Sequence, residues 1–103
     1  MKFSVLHICD YAAAYKGGFI NGLEYLRKDL EKDGIGQVYL FPHRALSTNA
    51  KNWIEELRRD GATVYIQTDS FLKNILLLRK IAKQHNVKKI FRHFNDLRID
   101  IIA

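Results

Sequence analysis

Phe3-Ser4-Val5-Leu6-His7-Ile8-Cys9 is a short run, rich in β-forming residues and almost unbroken in its apolar character. That suits a strand buried on both faces, as in a parallel sheet, better than the alternating strand of a one-faced sheet. The run stops at Asp10. Asp10 to Gly18 reads as a loop closing on Lys16-Gly17-Gly18. Beyond it, Phe19, Leu23, Leu26 and Leu30 recur at helical spacing, with Glu24, Arg27, Lys28, Glu31 and Lys32 filling the other face. Gly34 is placed to end that helix. The first unit is therefore a strand, a glycine loop and an amphipathic helix.

The cycle repeats. Gln37-Val38-Tyr39-Leu40-Phe41 predicts a second strand, stopped by Pro42. Asn49 is placed as an N-cap, and Trp53, Ile54 and Leu57 mark a second helix ending at Gly61. Ala62 to Ile66 predicts a third strand. Asp69 or Ser70 caps a third helix carrying Leu72, Ile75, Leu76, Leu78 and Ile81. Lys89-Ile90-Phe91-Arg92-His93 predicts a fourth strand, and Asn95 or Asp96 opens a fourth helix through Leu97, Ile99, Ile101 and Ile102. Four β-α units in succession imply an α/β fold, a partial Rossmann-like, doubly wound parallel sheet. Right-handed crossovers favour the strand order 3-2-1-4, with the flavodoxin-like order 2-1-3-4 as the alternative. In such sheets ligands bind outside the carboxyl ends of the strands where the winding reverses. For order 3-2-1-4 that point lies between strands 1 and 4, which brings Asp10 to Gly18 and His93 to Asp96 together.

With 103 residues the chain is one domain, and 48% hydrophobic against 27% charged residues excludes an intrinsically disordered composition. The single cysteine, Cys9, excludes an internal disulfide and a cysteine zinc site, and fits a reducing cytoplasm. Phe3 to Cys9 is too short for a signal peptide, and no stretch reaches the roughly 20 apolar residues of a spanning helix. The net charge is +6. Lys73, Arg79, Lys80, Lys83, Lys88, Lys89 and Arg92 form a stretch without an acidic residue, which reads either as an anion-attracting patch or as a solvated basic face. The fourth helix is short and has no glycine stop, and strand 4 is left as an open edge. Both features lead to the expectation that residues 1–103 are the first part of a larger domain, with self-association through the edge as a further expectation.

Lys16-Gly17-Gly18 is the sharpest local feature. Adjacent glycines let backbone N–H groups approach an anion, the helix start adds partial positive charge, and Lys16 adds a full one. The pattern is neither G-x-G-x-x-G nor a P-loop, so ordinary dinucleotide and ATP fingerprints are absent, and a plain turn into a helix fits equally. His93 would face the same crevice, able to bond a substrate hydroxyl or to act as acid or base, or else to bond backbone at a strand end. Arg92 points to the opposite face of the strand, and Asn95 lies nearby. Asp10 and Tyr11, with Tyr15, belong to the loop after strand 1, and the tyrosines could stack on a sugar. His43 and Arg44 follow strand 2 on the same rim, as acceptor contacts or as a solvated loop. His7 reads as a satisfied core histidine, His85 as a helix-end residue and Cys9 as a small buried filler. The four histidines lack the close spacing of a metal site.

Lys2-Phe3-Ser4-Val5-Leu6-His7-Ile8, then Lys16-Gly17-Gly18, Leu26, Leu30, Gly34 and Val38-Tyr39-Leu40, resembles the opening of GT-B glycosyltransferases, closest to glycosyltransferase family 4 and the glycosyl transferases group 1. Lys89-Ile90-Phe91-Arg92-His93-Phe94 is similar to that family's hydrophobic-His-x-His strand. Two departures stand out: Phe91 stands where the first histidine is common, and Gly34-Ile35-Gly36-Gln37 replaces Gly-His-x-Val. The resemblance implies that residues 1–103 are an acceptor-side Rossmann-like unit. The family's donor domain and catalytic residues would lie outside the chain, so the chain alone would be inactive. It implies Lys16, Gly17 and Gly18 near the donor diphosphate, and Asp10, Tyr11, His43, Arg44, His93 and Asn95 along the acceptor cleft. The implied partners are a nucleotide-sugar donor and a glycan or lipid-linked acceptor, without nucleic acid, cofactor or metal, in the cytoplasm or in peripheral contact with the membrane. The alternative is a small basic α/β module that binds nucleic acid through Lys73 to Arg92 or serves in signalling.

Overall fold

The computed structural model describes residues 3–13 and 16–93. β1 (Phe3–Cys9) lies inside a four-stranded, all-parallel sheet of order β3-β2-β1-β4, the order expected from the sequence. β2 (Ile35–Phe41) and β4 (Val87–His93) flank it, and β3 (Thr63–Ile66) pairs with β2. Helices α1 (Gly17–Glu31), α2 (Ala50–Arg59) and α3 (Phe71–Gln84) alternate with the strands, and a 3-10 helix (His43–Ser47) follows Pro42. The architecture is Rossmann-like. The expected fourth helix, with Asn95, Asp96 and Leu97, lies outside the described residues.

Every residue of β1 and β2 after the first is buried, as the unbroken apolar runs demand. On one face Cys9, Tyr39, Phe41 and Val64 pack with Ile20, Leu23, Trp53, Ile54 and Leu57 of α1 and α2. On the other, Leu6, Ile8, Val38 and Leu40 pack with Leu78 and Ile81 of α3. Each large apolar side chain so covered contributes roughly 1.5–3 kcal/mol.

The buried face of α1 differs from the expected stripe. Ile20, Leu23, Glu24 and Arg27 point inward, whereas Leu26 is exposed. The reason is an internal ion pair. Arg27 donates from Nε and Nη2 to both carboxylate oxygens of Glu24 (2.7 and 2.9 Å), and the Tyr39 hydroxyl donates to Glu24 at 2.9 Å. Arg27 also reaches Glu31 and the backbone oxygen of Asp60. Burial alone would raise the Glu24 pKa, but the bonds from Arg27 and Tyr39 outweigh it and hold it below the usual range. A fully paired charge cluster can therefore occupy a face that hydropathy assigns to solvent.

α3 shows a second departure. Leu72 and Leu76 are exposed, and Asn74 is buried in their place. The Asn74 amide oxygen accepts from the Thr68 backbone N–H at 2.7 Å, and its Nδ2 donates to Gln67 and to the Thr68 carbonyl. These bonds satisfy the β3–α3 loop and turn Asn74 inward. Ser70 caps α3 by accepting from the Lys73 N–H. At α2 the side-chain cap is Thr48, which accepts from Ala50 N–H at 3.1 Å; Asn49 makes no such bond. His85 ends α3 as expected and bonds the Tyr65 hydroxyl at 2.8 Å.

Candidate functional site

The carboxyl ends of β1 and β4 meet the start of α1. The Asp10 N–H donates to the His93 carbonyl at 3.0 Å. Phe19, the residue after the glycine pair, sets its ring edge-on to His93 with centroids 5.3 Å apart. The start of α1 and His93 are thus brought together at the point where the winding reverses, where open α/β sheets form their ligand groove.

The two glycines have different reasons to be there. Lys16 is right-handed and Gly17 is left-handed at φ +67°, and a Cβ on Gly17 would stand 3.0 Å from the Tyr11 hydroxyl. Only glycine adopts that conformation without strain. A Cβ on Gly18 would meet nothing within 4 Å, so packing does not explain its missing side chain. Successive right- and left-handed residues turn their N–H groups toward a common point, the geometry of an anion-binding nest. The first turn of α1 carries no acidic residue to neutralise its positive end.

The loop ahead of the turn is tied down. Tyr11 lies between the Phe19 and Trp53 rings, 5.3 and 5.8 Å away, and its hydroxyl donates to the Lys16 carbonyl at 3.3 Å. Tyr11 is therefore a brace under the glycine turn. Trp53 Nε1 donates to Ala13 O at 2.9 Å, and Thr48 Oγ1 to Ala12 O at 3.2 Å. Across the rim Arg44 forms an ion pair with the Asp10 carboxylate and donates to the Asp10 carbonyl at 3.1 Å, while its neighbour His43 is exposed. The ammonium of Lys16 lies 3.7 Å from Glu56 on α2, a pairing that an entering anion would compete for. Asn95 and Tyr15 lie outside the described residues. A shallow depression lined by Lys16, Asn21, Glu24, Tyr25, Lys28 and Asp60 adjoins the turn at Lys16 and runs along α1.

His93 is half-buried and bonded to a residue that sequence reasoning left in the core. Its Nε2 lies 3.1 Å from Nδ1 of His7, whose own Nε2 lies 2.6 Å from Oε1 of Gln37. The register explains the line. His7 stands opposite Tyr39 on β2 and opposite Phe91 on β4, so Gln37 and His93, two residues before and after those positions, lie diagonally on the same face. His7 is buried as expected, yet it connects the interior to the groove. Its pKa is lowered, first by burial and also by repulsion from a charge on His93, with the Gln37 bond acting the other way; burial lowers that of His93 as well. Burial pushes the Cys9 thiol up to about 12, which keeps it inert. Gln37 carried no signal in the sequence, because only strand register reveals its partner.

Compared with known proteins, the chain matches no family model, no curated protein and no solved structure.

The chemistry of the groove therefore rests on its own residues. It combines backbone donors fit for an anion at Gly17 and Gly18, an imidazole at His93 whose burial disfavours the charged form, and a paired Asp10–Arg44 rim. Among the described residues, no group of three His, Cys, Asp or Glu side chains is arranged to hold a metal ion, and no helix is long and apolar enough to cross a membrane.

Proposed function

We propose that the chain is the acceptor-side Rossmann-like unit of a GT-B type glycosyltransferase, working with a nucleotide-sugar donor and a glycan or lipid-linked acceptor in the cytoplasm. The observation that carries this reading is the meeting of the α1 start, which follows the Gly17–Gly18 turn, with His93 at the reversal between β1 and β4. Sugar transfer requires charge stabilisation on a departing diphosphate and a binding place for a hydroxyl nucleophile. The open amides of the α1 turn suit the first need, and the imidazole suits the second. Asp10 and Arg44, held to each other, present one carboxylate and one guanidinium to a polar acceptor along the rim.

The test is a transfer assay with radiolabelled nucleotide sugars, run beside binding measurements on the same chain. The chain alone is expected to bind inorganic pyrophosphate weakly and saturably, to lose that binding in Gly18→Val, and to transfer no sugar. Turnover by the chain alone would contradict the acceptor-side assignment. A basic stretch from Lys73 to Arg92, with the Lys89 ammonium 5.6 Å from the Phe91 ring centre, favours a second reading as an oligonucleotide binder. Tight oligonucleotide binding that falls steeply with salt, with no pyrophosphate binding, would transfer the function to that face.

A further inference from the structure

We infer that Gln37 and His7 form a hydrogen-bond relay that fixes the tautomer of His93, so that His93 enters the groove with a bare Nδ1 and acts as a hydrogen-bond acceptor. The Gln37 side-chain Nε2 donates to the Ile35 carbonyl at 3.4 Å, which turns Oε1 toward His7. An amide oxygen only accepts, so at 2.6 Å the proton of that bond belongs to His7 Nε2. A neutral imidazole carries one ring proton, and His7 Nδ1 is therefore a lone pair. It accepts across 3.1 Å from His93, which places the His93 proton on Nε2. The Nδ1 of His93 is left without a proton and, among the described residues, without a partner.

The surroundings hold this arrangement. The two imidazoles lie nearly coplanar, with planes 16° apart and centroids 5.4 Å apart, as an in-plane ring-to-ring hydrogen bond requires; Phe91 is near-parallel to His7 at 5.9 Å, Tyr39 is edge-on to His7 and Phe19 edge-on to His93. The lowered pKa values of both rings favour the neutral forms that the relay needs near neutral pH.

A bare ring nitrogen accepts from a hydroxyl and does not bind a phosphate oxygen. The two sides of the groove thus divide their tasks: backbone N–H groups at Gly17 and Gly18 for an anion, and His93 Nδ1 for a hydroxyl-bearing ligand. Assigning that hydroxyl to a sugar acceptor rests on the proposed transferase reading, whereas the relay does not. His7 and Gln37 are positioning residues in this scheme, since neither reaches the groove ligand itself.

The test is nitrogen NMR of the histidine rings in the 103-residue chain near pH 8, without sugar or nucleotide, so that failure of the transferase reading leaves the result unchanged. The relay predicts a through-hydrogen-bond coupling between His93 Nε2 and His7 Nδ1, with both rings protonated on Nε2. In Gln37→Met the amide acceptor is gone, and the expected response is inversion: the His7 proton moves to Nδ1 and that of His93 also moves to Nδ1. Gln37→Glu restores an acceptor oxygen and is expected to return both rings to the wild-type tautomer. A role in packing alone would leave the tautomers unchanged in the two variants. Absence of the inter-ring coupling in the wild type, or a Gln37→Met protein with a native backbone spectrum and unmoved ring protons, would overturn the relay. Should Gln37→Met fail to fold, the wild-type rings decide: the coupling with both rings protonated on Nε2 supports the relay, and protonation of either ring on Nδ1 overturns it.

Discussion

Gln37 and Tyr39 sit two residues apart on the same face of β2, and each anchors a buried polar cluster. The clusters end differently. From Tyr39 the bonds run to Glu24, Arg27, Glu31 and the Asp60 carbonyl, a closed set in which opposite charges are paired inside the fold. From Gln37 they run through His7 to His93 and stop at a half-buried ring beside the glycine turn. The difference teaches where polar burial serves stability and where it serves a site. A closed network is costly to break and offers nothing to a ligand. An open one is softer and delivers a defined hydrogen-bonding atom to a surface.

Removing one partner of each network measures the contrast. Arg27→Met strands the Glu24 carboxylate in the core and is expected to cost about 3–5 kcal/mol in denaturant unfolding. Replacing both partners, Glu24→Leu with Arg27→Met, should recover much of that loss, since no unpaired charge remains. Gln37→Met leaves one neutral ring nitrogen of His7 without a partner and should cost about 1–3 kcal/mol. Equal losses in Arg27→Met and Gln37→Met would remove the distinction between a charged, closed cluster and a neutral, open one.

Acid titration separates the networks along a second axis. His7 and His93 titrate below the ordinary 6.5 in the folded chain, so the unfolded chain binds more protons as pH falls through that value. Their contribution to stability is therefore full above about pH 6.5 and is lost progressively toward the lower folded values. Glu24 is depressed below its ordinary 4.5, so its contribution is present above that pH and is lost only in stronger acid. Unfolding free energy measured across pH should show two declines, the upper one flattened in His7→Phe and the lower one in the Glu24→Leu, Arg27→Met pair. A single decline near pH 4 in all variants would mean that the imidazole pair is uncoupled from folding.

The glycine turn gives the smallest effects. Gly17→Ala forces a side chain into a left-handed residue against Tyr11 and should cost about 1–2 kcal/mol. Gly18→Ala meets open space within α1 and should leave stability unchanged or raise it by up to about 1 kcal/mol. Equal losses in the two would show that Gly18, too, is held by backbone geometry rather than left open for a ligand.

Much of this was legible in the residues. The strand order, the reversal between β1 and β4 and the meeting of His93 with the glycine turn follow from near-continuous apolar strands alternating with helices. Trp53, Ile54 and Leu57 announced the buried face of α2 because all are apolar and all are inside. α1 was harder, since Glu24 and Arg27 neutralise each other in the core while Leu26 faces out, and hydropathy carries no information on pairing. Leu72 and Leu76 mislead in the same way, because Asn74 takes the inward position to satisfy the loop before it. Gln37 had no local mark at all. Its role appears only when the register sets it diagonally across from His7.

The most direct test of the groove is a titration of the nitrogen-labelled chain with inorganic pyrophosphate, followed residue by residue. The account predicts that shifts cluster at Gly17, Gly18 and Phe19, with smaller changes at Asp10 and His93. Shifts confined to Lys73 through Arg92, with the glycine amides unmoved, would contradict it.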